Sequence, residues 1–99
     1  MIRRSFWISV LFLAAGCVTS IPEEELVFAE TAVEAAREAK ADFHSPALFQ
    51  RAEDYLKAAQ KAKSERDFAQ ARTLALHAKE FAEKAEEEAV LKQEKGEGQ

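Results

Sequence analysis

Residues 62–89 read AKSERDFAQARTLALHAKEFAEKAEEEA, and the phase of their apolar positions decides the fold. From Phe68 onward the stripe is Phe68, Ala71, Ala75, Ala78, Ala82, Ala85 and Ala89, in alternating steps of three and four. That is one face of an α-helix, with coiled-coil spacing. Upstream, Leu48, Ala52, Tyr55, Ala59 and Ala62 form a second stripe, with Leu56 beside it. The step from Ala62 to Phe68 is about 600° of rotation at 100° per residue. The two faces therefore disagree by roughly 120°. A turn through Ser64-Glu65-Arg66-Asp67, capped by Asp67, brings both onto one core. No proline or glycine forces that break, so a single continuous helix is the alternative.

A second break lies upstream at His44-Ser45-Pro46. Ser45 is a good N-cap, and Pro46 is preset for the first helical position. Before it, Ser20-Ile21-Pro22-Glu23 fits a capping box, and Glu23, Glu24 and Glu25 sit at the positive end of the helix dipole. Leu26, Ala29, Val33 and Ala36 then mark one helical stripe. The spacing predicts helices over 21–42, 46–64 and 67–93, within a helical domain at 23–93, and a loose tail at 94–99. The last helix is the longest, spanning roughly 40 Å.

No βαβ alternation or strand-like run is visible, so the fold class is all-α. The expected form is a small antiparallel helical hairpin or three-helix bundle with a long C-terminal helix. The turn at Asp67-Phe68-x-x-Ala71 echoes tetratricopeptide repeats, but one copy is too few for a solenoid. Phe28, Phe43, Phe49, Tyr55, Phe68 and Phe81 read as core. An alanine seam lets helices approach closely yet buries little area. A chain of this size with such a seam is marginal alone, which points to self-association or to a partner's helix on the seam.

The N-terminus reads as an address. Arg3 and Arg4 form a positive region, and Phe6 to Ala15 form an apolar run broken only by Ser9. The run is about half the roughly 20 residues that a spanning helix needs. A cleaved secretory signal over 1–16 is therefore a better reading than a retained transmembrane anchor. The only cysteine, Cys17, follows at once, and one cysteine makes no internal disulfide. Leu13-Ala14-Ala15-Gly16-Cys17 resembles a bacterial lipobox, departing from the usual pattern at Ala14. The resemblance implies cleavage between Gly16 and Cys17 and a covalent lipid on the thiol, which holds the chain on a membrane. Residues 17–22 are then the lipidated cysteine and a short tether. Val18, which is not aspartate, implies sorting to the outer membrane, with the domain on its periplasmic face.

The mature chain resembles the domain-of-unknown-function family 4398. The residues that carry this are Pro22-Glu23-Glu24-Glu25-Leu26, Ala29-Glu30 and Ala35-Ala36-Arg37-Glu38-Ala39. Ser45-Pro46, Arg51-Ala52-Glu53 with Leu56 and Ala59, and Arg66-Asp67-Phe68 with Ala71 and Ala75 complete the match. The resemblance implies a helical fold and an envelope location, and no established activity.

Loss of Arg3 and Arg4 leaves 12 basic against 18 acidic side chains and a net charge of −6. Nucleic acid is excluded as a partner, since phosphate binding needs clustered Lys and Arg. No catalytic constellation, metal set, cofactor or small-molecule substrate is recognisable. His44 reads as a loop residue and His77 as a flanking surface residue, neither with a nucleophile at a useful spacing. Glu30, Glu34, Glu38 and Asp42 form an acidic row at i, i+4. A docking ridge or cation site is the sharp reading of it. A solvated face, paired in part with Arg51, Lys57 and Lys61 of the second helix, is the simpler one. The expectation is a non-enzymatic adaptor for an envelope protein, with Phe68, Leu74 and Phe81 as the candidate interface. The alternative is a self-associating spacer between outer membrane and cell wall.

Overall fold

The computed structural model describes residues 21–97. The expected signal segment at 1–16, Cys17, most of the expected tether and Ser20 of the expected capping box lie outside the described residues. Four helices follow in order: α1 Glu23–Glu38, α2 Ala41–His44, α3 Pro46–Ser64 and α4 Phe68–Glu97. Among the described residues there is no strand.

The break at 64–67 is a turn, so the continuous helix is set aside. Arg66 takes a left-handed conformation, φ 63°. The amide of Asp67 donates to Ala62 O at 2.9 Å, and that of Arg66 donates to Lys63 O at 3.0 Å. This is the paired bonding of a Schellman termination, with arginine where glycine is usual. Asp67 Oδ1 accepts from the Gln70 amide at 3.3 Å and caps α4, as its position predicts.

The first expected helix is shorter than 21–42. Lys40 also adopts a left-handed φ of 63°, and its amide donates to Arg37 O at 2.9 Å. That residue ends α1 and sets off the single turn α2. At the other end, α1 starts on Pro22 with no side-chain cap. Ser45 precedes α3, yet its hydroxyl makes no capping bond. The hydroxyl is buried and without a partner among the described residues. α4 continues beyond Gln93 to Glu97, through Gly96, where a loose tail is expected. One glycine, about two turns past the last buried residue Ala89, disfavours a helix by only about 1 kcal/mol, too little to end it.

Three long helices pack as a bundle. Leu26 and Ala29 of α1 meet Ala59 of α3 and Ala75 and Ala78 of α4 in one cluster. Val33 and Ala36 meet Phe49 and Ala52 with Ala82, Ala85 and Ala89 in the next. Hence α1 and α4 run parallel, with α3 antiparallel to both. α4 is the shared wall, because α1 and α3 touch one another far less than each touches α4.

The alanine stripe is the spine of this core. Ala71, Ala75, Ala78, Ala82, Ala85 and Ala89 are all fully buried. They face the chain's own helices, so the seam is covered within the molecule. Among the described residues, twelve of the fifteen buried hydrophobic side chains are alanine, and only Leu26, Val33 and Phe49 are large. Burial of a Leu, Val or Phe side chain stabilises by about 1.5–3 kcal/mol, and a methyl group by nearer 0.8. The core is therefore thin, as composition implies.

The large aromatics do not all join it. Phe49 is buried, and Tyr55, Phe68 and Phe81 are half-buried. Phe28 and Phe43 are exposed, at 53% and 78%, contrary to expectation. Phase explains Phe28: it stands two residues from Leu26, about 200° around α1. Phe43 sits on the one-turn α2, whose single buried residue is Ala41.

Ionic contacts tie α1 to its neighbours. Arg37 Nη2 meets Glu53 at 3.0 Å, Lys63 meets Glu23, and Arg72 Nε meets Glu25 at 3.1 Å. Gln60 donates to Glu30 at 3.3 Å. The attraction between α1 and α3 thus uses Lys63 and Arg37 where Arg51, Lys57 and Lys61 are expected. Such surface pairs contribute about 0–1 kcal/mol each and act mainly on register.

Candidate functional site

Leu74 and Phe81 stand seven residues apart on α4, two turns along one line facing α3. Both are half-buried. Leu74 packs against the cluster around Ala59, and Phe81 against the cluster around Phe49. Between them α3 contributes Tyr55, whose ring stacks on Phe81 with centroids 5.4 Å apart and planes 15° apart. His77 also meets Tyr55, with ring centroids 5.2 Å apart and planes tilted by 34°. Arg51, one turn before Tyr55, places its guanidinium 5.6 Å from the Phe81 ring centroid. Lys84 Nζ approaches the same ring to 5.3 Å while donating to Glu80 at 3.3 Å. The result is a ladder of Arg51, Phe81, Tyr55 and His77, edged by Lys84 and laid along the α3–α4 groove.

This arrangement is suited to contact more than to chemistry. Arg and Lys over an aromatic face contribute about 0.5–1 kcal/mol at exposed sites. Tyrosine and arginine are also the side chains that most often dominate protein interfaces. The His77 Nδ1 has Glu80 Oε2 at 3.9 Å, and among the described residues no serine joins them. Among the described residues, no group of three or more His, Cys, Asp or Glu is placed to hold a metal ion. No described helix is long and apolar enough to cross a membrane. In the acidic row, Glu34 accepts from Arg37 at 2.6 Å and Glu30 from Gln60.

Of the three residues expected at an interface, the structure brings Leu74 and Phe81 together and leaves Phe68 apart. Phe68 is six residues before Leu74, so the two differ by about 120° around α4. It stands nearer the flank of Arg72, which reaches Glu25 on α1. Sequence reasoning missed Arg51, Tyr55 and His77 as companions of Phe81. Their meeting depends on the register of α3 against α4, which no single-helix pattern encodes.

The family described as a domain of unknown function (DUF4398) matches residues 24–98. The chain belongs to that family. The match takes in all four helices of the bundle and the ladder upon it. No curated protein and no solved structure matches the chain.

Proposed function

We propose that this member of the DUF4398 family is a non-enzymatic lipoprotein of the outer membrane. A lipid on Cys17 holds it on the periplasmic face, and the bundle acts as an adaptor for an envelope protein. The Leu13–Cys17 motif supports the anchor. The ladder of Arg51, Phe81, Tyr55 and His77 is the observation that carries the adaptor reading. Half-buried Tyr55 and Phe81 with exposed Arg51 and His77 make an aromatic and cationic surface of the composition that anchors partners. The buried alanine spine leaves this groove, rather than the seam, as the contact face.

The test is a photo-crosslinking residue placed in turn at Leu74, His77 and Phe81 of the full-length chain in cells. A discrete heavier band containing a second protein is the expected result. Absence of any crosslink from all three positions overturns the adaptor reading. The thin core favours a second reading, a self-associating spacer between outer membrane and cell wall. Bands at multiples of the chain's own mass would select it.

A further inference from the structure

We propose that the outer flank of the α1–α4 groove, formed by Ile21, Phe28 and Leu76, lies on the lipid surface to which the chain is tethered. This rests on the lipid anchor at Cys17. The three side chains are exposed at 50%, 53% and 53%. Ile21 precedes α1 across the Pro22 boundary, with its carbonyl accepting from the Glu23 amide at 2.8 Å. On α1 itself, Phe28 lies about 60° around from Glu25, on the side that Glu25 turns to Arg72. On α4, Leu76 stands one turn beyond Arg72. The Arg72–Glu25 ion pair crosses the groove, and Phe28 and Leu76 lie outward of it on either side. The packing of Leu26 with Ala75 and Ala78 sets Phe28 and Leu76 at the same height. The cations on this flank are each paired with a carboxylate, Arg72 with Glu25 and Lys79 with Glu83. The aromatic ladder is on the other side of α4, towards α3, and stays free of the lipid.

The tether selects the occupant. Four residue steps separate Cys17 from Ile21, a reach of at most about 14 Å. Phe28 stands five residues into α1 from Glu23, a rise of about 8 Å. The whole patch is thus confined close to the bilayer in which the acyl chains sit. A patch of three side chains is small for membrane binding from solution. Covalent confinement raises the effective concentration of the lipid surface and makes a weak contact sufficient.

Tryptophan reports the contact, because the only tryptophan is Trp7, in the segment removed on maturation. Phe28→Trp, Leu76→Trp and Leu91→Trp are introduced singly into the full-length lipoprotein. Each is matured in cells and reconstituted in phosphatidylethanolamine–phosphatidylglycerol vesicles, with and without brominated acyl chains. Leu91, half exposed on the last turns of α4, is the distant control. For a helix face seated about 5–10 Å into the interface, emission from Phe28→Trp and Leu76→Trp falls by about half with brominated lipid. Emission from Leu91→Trp is unchanged. All three positions are exposed, and far-UV circular dichroism verifies that each variant keeps its helices. Vesicle flotation with no quenching at 28 and 76 overturns the proposal and leaves the anchor standing. Equal quenching at 91 overturns the orientation. A blue shift that grows with protein density, without quenching, assigns the patch to a second copy and overturns the lipid contact. Failure to float refutes the anchor and, with it, this contact.

Discussion

Replacing Arg66 with glycine tests the turn on which the bundle depends. The Arg66 backbone is left-handed, and its side chain makes no hydrogen bond or ion pair among the described residues. A non-glycine residue there is disfavoured by about 1–2 kcal/mol. Glycine removes that strain but loosens the unfolded chain, a loss of about 0.5–1 kcal/mol. The net expectation is a gain of about 0.5–1 kcal/mol, or roughly 2–8 °C in melting temperature for a domain of this size. Arg66→Ala should be close to neutral, since alanine keeps the strain. Urea unfolding followed at 222 nm reads both, and the midpoint should rise with an unchanged slope. The continuous-helix alternative gives the opposite sign. There, glycine would lie in a helix interior and destabilise by about 1 kcal/mol. A lower midpoint for Arg66→Gly would refute the hairpin.

Three further outcomes follow from the packing. Ser45→Ala should be neutral or slightly stabilising in the same urea assay, because the hydroxyl is buried without a partner; a loss of about 1 kcal/mol would instead mark it as a working cap. Ala78→Leu inserts bulk into a fully buried position of the spine and should destabilise by about 1–3 kcal/mol, seen as a lower melting temperature. The Glu88 carboxyl is held below the ordinary glutamate range, first by the hydrogen bond from Lys92, at 3.0 Å. Its folded value lies below its unfolded one, so its stabilising contribution is present above the unfolded value and is lost as pH falls through the folded one. Carboxyl NMR titration should show Glu88 moving up towards the usual range in Lys92→Met.

Much of this bundle was legible from side-chain period. The stripes on all three long helices are the buried faces, and the phase jump between Ala62 and Phe68 marks a real turn. The errors share a cause. Phe28 and Phe43 were expected inside because aromatic residues usually are, whereas the 3.6-residue period alone places Phe28 outside. Ser45 has the residue type and place of a cap, yet it is buried and its hydroxyl makes no capping bond. The ladder was half legible: Leu74 and Phe81 were visible on one helix, but Arg51, Tyr55 and His77 required knowing which turns of α3 lie beside which turns of α4. Cys17 and Gly16 carry the anchor reading on sequence grounds.

The placement of α4 also has a consequence for timing. Since α1 and α3 rely on α4 as their common wall, neither has a complete core until the last 30 residues of the bundle are free. A chain that leaves a ribosome N-terminus first needs roughly 2–6 seconds to add those residues. A helical bundle folds in microseconds to milliseconds once its parts are present. Elongation therefore sets the clock, and the core closes only as the stretch from Ala71 to Ala89 emerges.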